Sequence, residues 1–354
     1  MNPSYQKPQR SKGIFMKVSK INIIVGVILA IAIISAIIII LRNAAIVDKK
    51  TTIGNVFKYD LSEFTKTDPN LIKYKEINKI KTGLQKAFAI AIDSKDRIYI
   101  AGDKSIRIFD GKGSILSEIR LSDSATCLTI DDNGNIYIGM KEHVEIYDQQ
   151  GKSISKWNSL GQNAVITSIA VHGDDVFVAD AGGKVVQRYK SGDFINSIGK
   201  RDPDKGIAGF IIPSPYFDLA VASDGLLRVV NPGTHKIEAY NLDGDPQFSW
   251  GDTSVDIKGF SGCCNPVNFS ILPDGRFVTC EKGIPRVKIY SAKGVFESVV
   301  AGAENFAKTV GIYNPALGGD DATKALDVAV DSKGLIFILD PVEKTIRIFV
   351  IVKK

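Results

Sequence analysis

The chain has 354 residues, which is enough for one large domain or two of ordinary size. A hydrophobic content of 44%, with charges of both signs, is typical of a globular protein with a substantial core. The formal net charge is only +6, and five cations within residues 1–20 account for much of it, so the nearly neutral remainder argues against a nucleic-acid-binding surface.

The first predicted element is a membrane-spanning helix over residues 21–41. This run, INIIVGVILAIAIISAIIIIL, carries no charge, and at about 1.5 Å per residue it reaches roughly 31 Å, the thickness of a bilayer's hydrocarbon core. It is longer than the apolar region of a cleaved signal peptide, and Arg42 follows it directly. We therefore expect an uncleaved signal anchor. The basic residues 1–20 should stay in the cytoplasm, which places the rest of the protein in the periplasm or outside the cell.

After a predicted tether over residues 42–69, a repeated unit dominates the sequence. Each copy has an apolar strand, a turn rich in Gly and Asp, a second apolar strand, a short polar loop and a third strand that closes on an aromatic residue. The first strands end at six similar positions, namely Ile92, Ile130, Val171, Val221, Ile271 and Val330. The closing aromatics are Phe109, Tyr147, Tyr189, Tyr240, Tyr290 and Phe349. Units of about 40 residues with four short strands are typical of propeller blades, so the sequence predicts an all-β, six-bladed β-propeller over residues 70–354.

The sixth unit lacks a fourth strand, because the sequence ends soon after Phe349. An unassigned strand-like run, LIKYKEINKI, precedes the first unit at residues 71–80. Pairing this run with the last blade would close the ring and remove an exposed sheet edge.

The repeats resemble those of NHL-repeat propellers over about residues 71–354, a resemblance that implies an NHL/TolB-like six-bladed fold. NHL repeats typically carry an arginine four residues before the closing aromatic, and here only Arg286 keeps it. The other five places hold Ser105, His143, Val185, Lys236 and Thr345. The fifth unit also resembles a segment of uncharacterised, membrane-anchored bacterial NHL-repeat proteins, which implies no particular activity.

The longest predicted loops enter the fourth, fifth and sixth blades, at residues 200–217, 251–266 and 301–325. They should share one face and one half of the ring. Loops on a rigid scaffold are where function concentrates, so this face is the expected functional face. The alternative is that the loops merely cover the mouth of the central channel.

Some NHL-like propellers are enzymes, including an amidating lyase that uses a histidine-bound zinc. A catalytic zinc needs about three converging protein ligands. This sequence has only His143, His172 and His235, which the predicted strands divide between faces and blades. The segment DDNGN at residues 131–135 departs from the calcium-loop spacing and is expected to be a structural turn. We therefore predict no metal, no cofactor and no catalytic residue.

Three cysteines lie near the predicted channel mouth, in GFSGCCNP and at the end of the next strand. A bridge between Cys263 and Cys264 would be strained, because adjacent Cα atoms are only about 3.8 Å apart. A bridge from Cys280 to one of them is geometrically easier. A structural disulfide, a soft-metal or redox site, and packed thiols all remain open.

The segment CEKGIPR supplies the predicted ligand-binding residues Glu281, Lys282 and Arg286. An arginine beside a channel can clamp a carboxylate or phosphate. The alternative is an ion pair between Arg286 and a neighbouring acid, either Glu281 or Asp274.

Two functions follow from these predictions. The first is a single-pass, membrane-anchored binding or scaffolding propeller for a protein, peptide or glycan partner. The second is an exported propeller enzyme, a lyase or hydrolase, with its site in the central channel. The lack of a converging set of histidines and carboxylates in the sequence favours the binding protein, and its oligomeric state stays open.

Overall fold

The computed structural model describes residues 27, 29–38, 66–306 and 325–352. The chain divides into two compact units, Met1–Asp60 and Leu61–Lys354. In the first unit the described residues are helical. Within the described part of the chain, no helix is both long and apolar enough to cross a membrane. The predicted basic tail, much of the predicted anchor and most of the predicted tether lie outside the described residues.

The second unit consists of six antiparallel sheets of four strands each, which confirms the predicted six-bladed β-propeller. Strand β1 is Tyr74–Lys81. Blade one contains β2 to β5, which are Ala87–Ile92, Ile98–Gly102, Ser105–Phe109 and Ile115–Arg120. Blade two contains β6 to β9, which are Cys127–Ile130, Ile136–Gly139, Val144–Tyr147 and Ser153–Lys156. Blade three contains β10 to β13, which are Ile166–His172, Asp175–Asp180, Val185–Lys190 and Asp193–Ile198.

The remaining blades follow the same order from the inner strand outward. Blade four contains β14 to β17, which are Leu219–Val221, Leu227–Asn231, Lys236–Tyr240 and Pro246–Trp250. Blade five contains β18 to β21, which are Asn268–Ile271, Phe277–Cys280, Val287–Tyr290 and Phe296–Ala301. Blade six contains β22 to β24, which are Asp327–Val330, Ile336–Asp340 and Thr345–Ile351.

Strand β1 is the outer strand of blade six. It pairs antiparallel with β24, from Tyr74 opposite Ile351 to Lys81 opposite Thr345. The observed strand starts three residues after the predicted run, because Pro69–Leu71 form a 3₁₀ turn. The last blade therefore combines the two ends of the propeller sequence, which covers the edge that β24 would otherwise expose.

A separate buried apolar cluster fills each interface between neighbouring blades. Between blades one and two, for example, Tyr99 packs in the same cluster as Ile138. Between blades six and one, Ile98 and Phe337 share another cluster. The second strands of the blades are buried on both faces, as in Ile98–Gly102. Sheet-on-sheet packing around the ring thus fixes the six inner strands around the central axis.

Candidate functional site

The six inner strands surround a central cavity of about 490 Å³, within the range of small-molecule binding sites. One residue in or immediately before each inner strand occupies an equivalent place, three residues before the repeated positions at the strand ends. We call these six residues the channel ring: Ala89, Cys127, Ser168, Asp218, Asn268 and Asp327. They lie near the start of their strands, so the ring is at the end of the channel that the long loops approach.

The channel ring is apolar or weakly polar on one side and strongly polar on the other. Blades four, five and six contribute Asp218, Asn268 and Asp327 in succession. The Asn268 amide donates to the Leu326 carbonyl at 2.8 Å, and the Asp327 carboxylate accepts from the Ile90 amide of blade one at 2.9 Å. These side chains therefore also link neighbouring blades.

Asp218 makes similar contacts to both adjacent blades. One carboxylate oxygen accepts from the Ser168 hydroxyl of blade three at 2.6 Å. The other oxygen accepts from the Phe269 amide of blade five at 2.8 Å. The first oxygen also accepts from the Leu219 amide at 2.9 Å. Since each oxygen of an ionised carboxylate can accept about two hydrogen bonds, the remaining acceptor capacity is mainly on the second oxygen.

Both ring carboxylates have raised pKa values. Burial raises the pKa of Asp218 to about 6, although its hydrogen bonds act in the opposite direction. Burial also raises the pKa of Asp327 to about 7, and the charge of Asp218 adds to this effect. Part of each side chain still faces the channel, but protein surrounds the rest. Burial likewise raises the pKa of the Cys127 thiol to about 12.

No lysine, arginine or histidine is among the described residues that line the cavity. When both carboxylates ionise, two negative charges face a confined space whose described lining is uncharged apart from them and holds no cation. Such an arrangement is electrostatically costly and is stabilised by protonation or by a bound cation. The polar half of the ring can therefore bind a cationic group.

The three polar ring residues directly follow the three longest loops. The loop before blade four ends in Tyr216 and Phe217, which line the cavity beside Asp218. The loop before blade five leads into Asn268, and the loop before blade six leads into Asp327. Residues 307–324 of this last loop lie outside the described part of the chain.

Glu281 and Arg286, both predicted to bind a ligand, are instead buried against each other. Glu281 is 0% exposed and Arg286 is 2% exposed. Arg286 Nη2 lies 2.8 Å from Glu281 Oε2, and Lys288 Nζ lies 2.7 Å from Glu281 Oε1. The ion pair with Glu281 is the alternative that the sequence left open. Neither charged group is accessible to a ligand in this conformation.

This ion cluster attaches the loop before blade five to the blade. Arg286 donates to the Ser261 hydroxyl at 3.3 Å, and Lys288 donates to the carbonyls of Ile257 and Gly259 at 3.1 and 2.6 Å. Burial lowers the pKa of Lys288 to about 8, and Glu281 opposes that shift. The three charges serve to position the loop.

Lys282 lies closer to the channel than the other two predicted residues. Its ammonium group donates to the Ser214 hydroxyl at 3.2 Å and lies 4.3 Å from the centre of the Tyr216 ring. Tyr216 lines the cavity, so Lys282 is in contact with the channel wall.

All four cysteines are free thiols. The sulfur atoms of Cys263 and Cys264 lie 3.0 Å apart. Cys280 is fully buried in the cluster between blades five and six. Cys127 is buried between blades two and three.

The three histidines do not converge. His143 contacts Glu145 at 3.0 Å, and His235 contacts the Thr253 hydroxyl at 2.9 Å. His172 ends β10, at the opposite end of its blade from the channel ring. No cluster of three or more His, Cys, Asp or Glu side chains with metal-binding geometry occurs among the described residues.

No protein-family profile and no curated protein matches this chain. Among solved structures, it is similar to a streptogramin B lyase at 11% identity and a TM-score of 0.53, over 79% of this chain and 98% of the other. It is similar to a catalytically inactive virginiamycin B lyase from Staphylococcus aureus with quinupristin at 12% identity and a TM-score of 0.52, over 79% and 99%. The WD40 propeller domain of Doa1 matches at 17% identity and a TM-score of 0.51, over 75% and 79%. These similarities show the propeller fold alone.

Asp218 and Asp327 are the site residues that sequence reasoning missed. Within its own loop each is an isolated carboxylate, without a neighbouring partner in the sequence that would indicate a site. Aligning the six units by strand position instead places both in the same column, in the segments DLAV and DVAV.

Proposed function

We propose that this protein is a membrane-anchored, extracytoplasmic β-propeller that binds a protein or peptide partner. A cationic group of the partner, such as a lysine side chain, enters the central channel and contacts Asp218 and Asp327. The observation that carries this proposal is the pair of carboxylates in a cavity whose described lining holds no cation.

The electrostatics of the ring favour a cationic ligand over a neutral glycan. An ammonium group between the two carboxylates would reduce their mutual repulsion and stabilise their ionised forms. Because Asp218 and Asp327 have pKa values of about 6 and 7, binding would release protons near neutrality. Affinity should therefore rise from pH 5.5 to pH 8.

The test compares two immobilised peptide libraries that differ only in one residue, lysine or its uncharged analogue norleucine. The full chain in detergent should be captured by the lysine library, and Asp218→Asn or Asp327→Asn should reduce capture at least tenfold. Asp274→Asn is the control, because Asp274 lies in an exposed turn outside the cavity lining. Equal capture on both libraries would refute the cationic ligand.

The membrane attachment rests on the uncharged run at residues 21–41 and the cations before it. In a background without native cysteines, a membrane-impermeant thiol reagent should label Thr51→Cys in intact cells and leave Ser11→Cys unlabelled. Labelling of Ser11→Cys alone would reverse the proposed orientation.

An exported lyase or hydrolase is the second candidate. It is favoured by the two ring carboxylates, whose pKa values of about 6 and 7 suit a proton donor and a proton acceptor near neutral pH. Two of the similar structures are lyases, although the similarity extends only to the fold. A stoichiometric metal in the purified protein would favour this candidate over the binding protein.

A further inference from the structure

The loop from Ser261 to Pro266 holds two adjacent thiols close to the channel mouth. Asn265 fixes this loop, because its side chain donates to the Lys282 carbonyl at 3.0 Å and accepts from the Lys282 amide at 2.8 Å. Asn265 also donates to the Ser261 carbonyl and is itself 1% exposed. The two cysteines between these attachment points are therefore held in a defined arrangement.

The two thiols differ in accessibility. Cys263 is exposed, whereas Cys264 is 2% exposed, and their sulfur atoms are in contact at 3.0 Å. An exposed thiol can react with an oxidant from solvent, and a protected neighbouring thiol can then resolve the product. A contact between two cysteines is a more specific feature than a lone surface thiol.

We propose that Cys263 and Cys264 form a reversible dithiol–disulfide pair that responds to disulfide oxidants outside the cytoplasm. The Cys263 thiolate attacks a small-molecule disulfide such as oxidised glutathione, and one glutathione leaves as a thiolate. Cys264 then loses its proton and attacks the Cys263 sulfur of the mixed disulfide, which releases the second glutathione. Two protein thiols are oxidised to one disulfide, and one glutathione disulfide is reduced to two thiols.

The resulting bridge should be easy to reduce. Adjacent residues have Cα atoms about 3.8 Å apart, below the usual range for a disulfide. Bridges under such strain are the labile ones. The pair therefore suits a switch better than a permanent structural link.

The bridge would also change the wall of the channel. The Ser214 hydroxyl hydrogen-bonds the Cys264 thiol, while burial raises the pKa of that thiol to about 11. Ser214 also accepts from Lys282, and Tyr216, two residues later, lines the cavity. The Ser214 hydroxyl donates in this contact, since it lowers the pKa of Cys264. Oxidation turns the Cys264 sulfur towards Cys263 and converts it to a disulfide sulfur, which is a weaker acceptor than the thiol or thiolate. The segment 214–216 then loses one of its attachments, so oxidation should loosen the channel mouth.

Trypsin separates the relevant cysteines. Cleavage after Lys258, Arg276 and Lys282 places Cys263 and Cys264 in one peptide, residues 259–276, and Cys280 in the next, residues 277–282. The full chain in detergent is treated with oxidised glutathione, alkylated with N-ethylmaleimide and digested without reduction. We expect peptide 259–276 to lose the mass of two hydrogen atoms and to incorporate no maleimide. Cys280, in peptide 277–282, should form no disulfide.

Variants make the assignment specific. Cys264→Ser should stop at the glutathione adduct on Cys263, whereas Cys280→Ser should behave as the parent. Hydrogen exchange of residues 211–217 should accelerate on oxidation in the parent and not in Cys264→Ser. A cross-link between peptides 259–276 and 277–282 would overturn the proposal in favour of a Cys280 bridge. A parent that retains two alkylatable thiols, or that stops at the glutathione adduct, would overturn it as well.

Discussion

Replacing Glu281 by glutamine should destabilise the propeller, because this carboxylate is the counter-charge of two buried cations. Its oxygens lie 2.8 Å from Arg286 Nη2 and 2.7 Å from Lys288 Nζ, and all three side chains are almost completely buried. Glutamine preserves the volume but leaves both cations without a negative partner. Removing one member of a buried ion pair costs about 3–5 kcal/mol.

Deprotonation of Lys288 would offset part of this cost. Its pKa is already lowered to about 8 by burial, and Glu281 is the main group that opposes this shift. Without Glu281 the pKa should fall further, so that Lys288 loses its proton near neutrality. A fall of one pKa unit below pH 7 offsets about 1.4 kcal/mol of the cost of breaking the ion pair. We therefore expect the free energy of unfolding at pH 7 to fall by about 2–4 kcal/mol.

The pH dependence of the stability difference between Glu281→Gln and the parent tests whether Lys288 is the group that loses its proton. Below pH 8 the folded parent keeps the Lys288 proton, whereas the folded variant releases it at a lower pH than the parent does. The unfolded chains hold the proton in both cases, so the variant gains stability relative to the parent as the pH rises towards 8. The difference in the free energy of unfolding between the parent and Glu281→Gln should therefore be largest in mild acid and smaller at pH 8.

Thermal unfolding of the full chain in detergent measures the effect. A loss of about 2–4 kcal/mol corresponds to a fall in Tm of about 3–7 °C for a domain of this size. Asp274→Asn is the matched control in the same blade, because Asp274 is exposed and its partner Arg276 is only partly buried, so this ion pair should contribute less than about 1 kcal/mol. If Glu281→Gln melts with the parent, the buried cluster does not stabilise the loop and our account of it is wrong.

Three further predictions concern the closure of the propeller by β1, the ionisation of Asp327 in the channel, and the turn of blade five at Gly294. Deleting residues 1–69 should leave a domain that unfolds cooperatively, whereas deleting to residue 82 removes β1 and should cause aggregation by exposing an edge strand, which light scattering would detect. Because the pKa of Asp327 is raised from 3.8 to about 7, the folded parent holds a proton that the unfolded chain releases between these values, and stability should fall as pH rises through this window. Asp327→Asn should flatten that fall in a series of melting curves from pH 4 to pH 8, and an unchanged slope would contradict the assignment. Gly294→Ala should lower the Tm more than Gly225→Ala, since both glycines have φ of +78° but only at Gly294 would a new Cβ overlap a tryptophan ring.

The propeller could be predicted from sequence because its blades repeat. Short strands, turns with Gly or Asp and closing aromatics such as Phe109 and Tyr290 recur at similar spacing, and each feature reports local backbone geometry. What a local pattern cannot report is which surface an inserted loop covers. Glu281 and Arg286 were therefore expected at an open mouth, whereas residues 257–261 bury them.

Lys288 illustrates the same limit. In VKIY it alternates with apolar residues, as a solvent-facing side chain of a strand would. It is nevertheless 0% exposed, because the loop before blade five folds over that face and offers its carbonyl groups. Its burial depends on a tertiary contact that the strand pattern alone does not contain.

The departures from repetition bear on where function lies. Six equivalent ring positions meet similar backbone geometry, so the fold alone gives no reason for three of them to carry carboxylate or amide groups while blade one carries Ala89. The loop lengths depart from the repeat as well, and the longest loops precede the same three blades. Blade-to-blade hydrogen bonds account for part of the chemistry of Asp218 and Asp327, but the interface between blades one and two carries Ala89 and Cys127 at the channel ring, without a carboxylate or an amide. Because two separate departures, in loop length and in ring chemistry, coincide on one half of the propeller, we propose that ligand recognition lies at blades four to six.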